Sequence, residues 1–285
     1  IKILKSHLVS DQSTFKRFQQ EAKTAGALEH ENIVGILDFG VTDQGVPYLI
    51  MELLEGESLT DRLRRSRGLS LDAVISLFSQ AADALQYTHE RGVIHRDVKP
   101  SNILIVHEEG MAKLKIVDFG IAKMQTTRGP AGALDLTATG EVFGTPLYVS
   151  PEQAMGRTLD CRADIYSLGC VMYEAVAGQP AFSGTTAFDV IRMQVSDDPI
   201  PLGAVRPDLK IPPSLALAVT KSMSKVPASR YQTMSELLED LQKARMELNS
   251  ETRESSSKGL STVKSTGKSD DKLDPLVVSQ RAKTA

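Results

Sequence analysis

Between Val93 and Leu104 the sequence reads VIHRDVKPSNIL, which sets Asp97, Lys99 and Asn102 in one short loop. A loop braced at both ends can aim a carboxylate, a cation and an amide at one point. Phosphoryl transfer needs such a trio. A carboxylate orients an incoming hydroxyl and accepts its proton, a cation stands beside the transferred phosphate, and oxygen atoms hold Mg²⁺. Asp97, Lys99 and Asn102 supply these in that order. Asx-turn hydrogen bonds would account for the Asp or the Asn singly, but not for the whole string.

The flanking segments must supply the bracing. Residues 71–90 are apolar on several faces and long enough for a buried helix, and residues 103–106 and 114–117 read as short strands after the loop. Upstream, IKIL reads as a strand. Asp11 is placed to cap a helix running to about residue 29, with Phe15, Phe18, Ala22, Ala25 and Leu28 on one face. Strand-like runs follow at 33–39 and 46–53, joined by a polar turn with Asp43, Gln44 and Gly45. From residue 165 the chain is mostly helical: 165–176 is apolar nearly all round, as a central helix would be, and 233–248 is amphipathic. The pattern predicts an α+β protein with a small sheet-rich lobe, residues 1–54, ahead of a larger helical lobe, residues 55–245. Residues 246–285, rich in Ser, Thr, Lys and Asp, read as a flexible polar tail or linker, because they hold too little apolar surface to offset ordering entropy.

Bulk properties narrow the partners. The chain has 285 residues, 41% hydrophobic and 24% charged, ordinary for a globular protein with a sizeable core. A net charge of -3 supplies no basic field for nucleic acid, and no apolar run approaches the roughly 20 residues of a membrane helix. Cys161 and Cys170 are too few for a disulfide framework and lack metal-ligand spacing, so a reducing cytoplasm is expected. No signal peptide is evident, and the start reads as a cut.

HRDVKPSN resembles the catalytic loop of eukaryotic-type protein kinases, and KIVDFG, residues 115–120, resembles their magnesium-binding DFG motif. The resemblance implies Asp118 as a metal ligand with Asn102, Phe119 as a packing residue and Gly120 as the motif's glycine. GTPLYVSPEQ, residues 144–153, is similar to the end of the activation segment, with SPE where many members have APE. By the same resemblance Asp164, in DIYSLG, holds the catalytic loop through backbone hydrogen bonds, and Arg230 pairs with Glu152. The landmarks run in order over roughly residues 1–245, and the fold implied is the bilobal kinase fold with an incomplete small lobe.

The family's strand lysine pairs with a helix glutamate about twenty residues later; Lys2 and Glu21 fit that placement. Lys2 is then expected to contact the ATP phosphates. The hinge falls at YLIMELLEG, with Met51 as gatekeeper, Glu52 and Leu54 presenting backbone groups to adenine, and Leu104 beneath the ring. The glycine-rich loop and two strands are expected ahead of Ile1, so these residues by themselves are expected to be weak or inactive, with an exposed sheet edge. Lys99 and Thr145 resemble the serine/threonine branch, and the segments around SPEQ and DIYSLG resemble bacterial PknB-like kinases most. The implied activity is ATP- and Mg²⁺-dependent phosphorylation of Ser or Thr in proteins, with Mn²⁺ as an alternative metal. Two other readings stand beside it: a pseudokinase scaffold, should the upstream loop be degenerate, and a small-molecule phosphotransferase, which the peptide-docking segment disfavours.

Thr137 and Thr139 match paired activation-loop threonines of PknB-like kinases, where a phosphate of about -1.5 to -2 charges would engage Arg96 or Lys123. Glu141 is the competing source of negative charge. A kinase-domain dimer for trans-autophosphorylation and a membrane anchor beyond residue 285 are further expectations. Ser101 and Glu174 give conflicting signs about a preference for arginine in the peptide.

Overall fold

The computed structural model describes residues 1–3, 19–20, 22–43, 45–108, 110–119 and 146–263; of residues 252 and 254–263 it describes the backbone alone. Glu21, Gly120, Thr137, Thr139 and Thr145 lie outside the described residues, as do Lys123 and Glu141. Residues 1–247 form one compact unit and 248–285 a second.

The chain begins in a three-stranded antiparallel sheet of β1 (Lys2–Ile3), β2 (Ile36–Val41) and β3 (Pro47–Met51), ordered β1-β3-β2. Lys2 faces Leu49 across the ladder. One side is closed by residues 22–26, which are helical, and among the described residues Ala22 and Leu49 pack with Ile36, Phe39 and Met51. The helix stops at residue 26, short of the expected residue 29, and β3 stops at Met51, because Glu52 turns its side chain back toward Gly35 and Lys115.

A second antiparallel sheet carries the loop of interest on its inner strand. It comprises β4 (Gly56–Ser58), β5 (Ile103–Glu108) and β6 (Met111–Ile116), in that order. The two sheets are stitched through the segment before β2: Val34 donates to the Ile116 carbonyl at 2.9 Å, and Ile116 donates to the Asn32 carbonyl at 2.8 Å.

Helices form the remainder of the compact unit. α1 (Leu59–Arg65), which the hydrophobic pattern alone does not reveal, is started by the Ser58 hydroxyl accepting from the Asp61 amide. α2 (Leu71–Glu90) is capped by Ser70, carries Asp72 in its positively polarised first turn, and buries Val74, Ile75, Phe78, Ala81 and Leu85. Past the short α3 (Pro151–Ala154) comes α4 (Arg162–Ala177), whose residues are buried from Ala163 through Tyr173. A helix apolar all round belongs in the middle of a core. Two glycines let it sit there. A Cβ on Gly169 would lie 2.7 Å from that of Ser222, and Gly178 ends the helix at φ 75° where a Cβ would strike the Arg67 backbone.

α5 (Ala187–Ser196), α6 (Leu202–Val205), α7 (Pro213–Ser222) and α8 (Met234–Val263) complete the order. α8 runs beyond residue 248, into the stretch where the sequence predicts a polar tail. Residues 249–258 contain neither glycine nor proline, and extending an existing helix avoids the cost of nucleation. Among the described residues no helix is long and apolar enough to cross a membrane.

Candidate active site

The loop between α2 and β5 is built around one buried carboxylate. Asp164, in the first turn of α4, is 1% exposed; its Oδ2 accepts from the His95 amide and its Oδ1 from the Arg96 amide, each at 2.8 Å. His89 on α2 places Nε2 2.8 Å from the same Oδ2. These bonds hold Arg96 in the left-handed region, φ 64°, a conformation that costs a non-glycine residue about 1–3 kcal/mol unless its surroundings enforce it.

His95 completes the scaffold from inside. Its Nδ1 accepts from the Asp97 amide at 3.2 Å and its Nε2 donates to the Val117 carbonyl at 3.1 Å, a pattern that requires the neutral ring. Burial pushes its pKa below the ordinary histidine value, outweighing the opposite pull of Asp164, the Val117 carbonyl, Asp97 and Asp118. Phe119 packs on the same ring with centroids 4.7 Å apart, so the segment after β6 leans on the loop after α2.

On this frame the polar groups converge. Lys99 Nζ lies 2.8 Å from Asp97 Oδ2, and Asn102 Nδ2 donates to the Asp97 carbonyl at 2.9 Å and to Oδ2 at 3.2 Å. Asn102 is held in turn, since its carbonyl accepts from the Val117 amide at 2.9 Å. Asp118, φ 59°, follows directly; among the described residues it and Arg96 are the non-glycine residues with positive φ. From β1, Lys2 Nζ reaches Asp118 Oδ1 at 2.7 Å, joining the first sheet to the loop cluster.

The segment leaving β3 is fastened by its side chains. Glu52 Oε1 accepts from the Gly35 amide and from Lys115 Nζ, both at 2.9 Å. Burial raises the Glu52 carboxyl, yet these two donors outweigh it and hold the group below its usual range. Met51 and Leu54 are half-buried, Met51 against the small core. Leu104 on β5, opposite Lys115, is half-buried as well.

On the other side of the loop, residues 146–153 are anchored to the large core. The carbonyls of Pro146 and Leu147 accept from Gln194 Nε2, and the Tyr148 carbonyl accepts from Ser167 Oγ at 2.7 Å. Tyr148 donates its hydroxyl to Glu174 at 2.5 Å, and burial pushes both groups upward. Glu152 and Arg230 form a two-pronged ion pair with both N···O distances 2.7 Å. The remaining guanidinium donors go to the carbonyls of Arg162, Ser224 and Lys225, so all five N–H groups of a fully buried arginine are satisfied.

Sequence reasoning passed over His89, His95, Lys115, Gln194 and Gln153. Only the last left a readable trace: Ser150-x-x-Gln153 has capping-box spacing, and the box forms, with the Ser150 hydroxyl accepting from the Gln153 amide and Gln153 Oε1 accepting from the Ser150 amide. The serine in SPE is therefore a helix cap. His89, Lys115 and Gln194 owe their positions to partners tens of residues away, and His95 joins one such partner, the Val117 carbonyl, to the nearby Asp97 amide.

The metal and nucleotide expectations can be tested against the donor set. Asn102 uses its side-chain nitrogen on Asp97, so its side-chain oxygen is the atom it would offer a cation, and Asp118, paired with Lys2, would offer a carboxylate from the segment after β6. One carboxylate and one amide oxygen suit a hard cation whose remaining ligands are phosphate and water. Lys2 places an ammonium group beside that carboxylate.

Residues 1–262 match the family described as the protein kinase domain. The chain is 39% identical over 244 residues to serine/threonine-protein kinase PknB of Mycolicibacterium smegmatis, covering 85% of this chain and 38% of that protein. PknB of Mycobacterium tuberculosis is 38% identical over 244 residues with the same shares. A probable PknB of Corynebacterium glutamicum is 39% identical over 248 residues, 85% of this chain and 37% of the relative. The chain thus spans well under half the length of these curated relatives. The crystal structure of the Mycobacterium tuberculosis PknI kinase domain superposes with a TM-score of 0.63 at 26% identity, covering 85% of this chain and 84% of that one.

Proposed function

The chain belongs to the protein kinase domain family, and from that premise we propose that it carries the catalytic core of a protein serine/threonine kinase, which moves the γ-phosphoryl group of ATP to hydroxyls of protein substrates. The observation that carries the proposal is the meeting of Asp97, Lys99 and Asn102 within hydrogen-bond distance, beside a Lys2–Asp118 pair that ties the first sheet to the segment after β6. Asp97 orients the incoming serine or threonine hydroxyl and accepts its proton. Lys99, already 2.8 Å from Asp97, stands beside the group in transfer. Lys2 holds phosphate oxygens, and Asn102 and Asp118 hold Mg²⁺, with Mn²⁺ as the substitute. When bound, the metal neutralises charge that builds on the phosphate oxygens.

Adenine lies against the backbone of Glu52 and Leu54, between Met51 and Leu104, with the Glu52 side chain kept out of its way by Lys115 and Gly35. Phosphorylation of Thr137 or Thr139, in trans between two kinase domains, raises the activity, and the domain works in the cytoplasm. Mass spectrometry of the autophosphorylated full-length protein, with kinetics of the Thr137→Ala, Thr139→Ala double variant, tests that regulation. Wild-type rates with neither residue phosphorylated would transfer the role to Glu141.

The decisive experiment is phosphate transfer from ATP to a serine/threonine protein substrate by the full-length protein. Asp97→Asn is expected to lower turnover by about 10² to 10⁴. Unchanged turnover in that variant would remove Asp97 as the base, and a wild-type protein that binds ATP without transfer would favour the scaffold reading.

A further inference from the structure

Arg96, immediately before Asp97, is gripped on both of its peptide groups. Its amide donates to Asp164 Oδ1 at 2.8 Å, and its carbonyl accepts from Gln153 Nε2 at 2.8 Å. The first partner is in the central helix and the second in α3, at the end of the segment expected to dock peptide. With φ at 64°, Arg96 is in a conformation that its surroundings must impose. Whatever fixes its carbonyl also fixes the plane of the Arg96–Asp97 peptide, and so the direction in which the Asp97 side chain leaves the loop.

Gln153 is suited to that task because its own amide is immobilised. The oxygen accepts from the Ser150 amide at 3.1 Å as half of the capping box, which turns the nitrogen toward Arg96. The two ends of one planar amide therefore connect α3 to the catalytic loop. The ridge continues through Glu152, the neighbouring residue, to fully buried Arg230.

We propose that Gln153 is a positioning residue for Asp97, which couples the placement of the peptide-docking segment to the geometry of the catalytic aspartate. The proposal rests on the kinase reading above. It goes beyond it by giving a working role to a residue of α3 that touches neither nucleotide nor the reacting atoms.

The test exploits the two ends of the amide. Gln153→Glu keeps the oxygen that caps Ser150, since glutamate is equally good at that capping-box position, but it replaces the donor to Arg96 with an acceptor. Ser150→Ala is the control: it removes the hydroxyl that caps the Gln153 backbone amide and leaves both ends of the Gln153 side-chain amide bonded. In the full-length protein, Gln153→Glu is expected to lower kcat about tenfold, with the KM for ATP within about twofold and the melting temperature within about 2 °C of wild type. Ser150→Ala is expected to melt lower than Gln153→Glu and to lose less kcat. Gln153→Met, which has neither end, should lose kcat as Gln153→Glu does and melt lower than it, because the Ser150 amide also loses its partner.

A second readout does not depend on activity. In the 285-residue chain, amide exchange at Arg96 and Asp97 should quicken in Gln153→Glu and less in Ser150→Ala. A wild-type kcat in Gln153→Glu together with unchanged exchange would overturn the proposal, as would equal kcat losses in the two single variants. Should the wild-type protein transfer no phosphate, the kinase reading fails while the exchange experiment still decides whether Gln153 holds the loop.

Discussion

The groups assigned to nucleotide and those assigned to the hydroxyl are held by different physics. Lys2 comes from a two-residue strand, and its ion pair with Asp118 is partly open to water, the side chains being 39% and 33% exposed. Among the described residues, Ala22 and Leu49 lie in the core beneath it. Asp97 stands instead on a loop whose backbone is tied to Asp164, His95, Asn102 and Gln153, above a central helix buried nearly all round. The Lys2–Asp118 pair is therefore the more easily rearranged of the two, and the loop around Asp97 the more firmly held. Exposed ion pairs are cheap to rearrange, whereas buried polar networks are costly to disturb.

The sharpest way to break this contrast is in the large lobe. Arg230→Ala strips Glu152 of its buried partner and should cost about 3–5 kcal/mol. For a domain of this size the melting temperature would fall by roughly 10 °C, read by calorimetry. A loss no larger than that of a surface pair would show that solvent reaches Glu152 in spite of its burial.

Next in size is an acid sensitivity centred on His95. Unfolded, this histidine takes up a proton near pH 6.5, while in the folded protein burial keeps its pKa lower. At and below about pH 6.5 the unfolded chain therefore binds more protons at this site, and stability falls as the pH drops through that value toward the lower pKa of the folded state. His95→Phe removes the depressed group and should flatten the slope of melting temperature against pH. An unaltered slope would assign the effect to other groups.

Two lysines set the small end of the scale. Lys115→Met leaves Glu52 with the Gly35 amide as partner and should lower stability by about 1 kcal/mol. Lys2→Met should cost less than about 1 kcal/mol, because water screens its pair with Asp118, and yet abolish most phosphate transfer in the full-length protein. Thermal melts beside activity assays compare them. A Lys2 variant less stable than the Lys115 variant would erase the distinction between the two regions.

Much of the site was legible in the sequence because its parts are local. HRDVKPSN places three functional groups within six residues, and a span that short needs only a loop to bring them together. The α2 helix was readable to its ends, 71 to 90, since Ser70 caps it and its apolar faces are continuous. Distant pairs named from the kinase resemblance also lie together, Glu152 with Arg230 and Asp164 with the loop amides. Periodicity on its own would have suggested neither pair. The far boundary of α8 was not legible, because polar residues that form helix well carry no apolar stripe.

What the chain determined by itself was its inventory: helix caps at Ser58, Ser70 and Ser150, the apolar stripes that select a core, and a loop with the groups for phosphoryl transfer. Tertiary structure decided where those groups point. Arg96 occupies left-handed backbone that no local preference of arginine imposes, and it stays there because Asp164 and Gln153, from other elements, hold both of its peptide groups. The same holds for the neutral ring of His95, the turning inward of Glu52 and the two-ended grip of Gln153. Each depends on a donor or acceptor distant in the chain, and only burial beside that partner makes the arrangement cheaper than solvation by water.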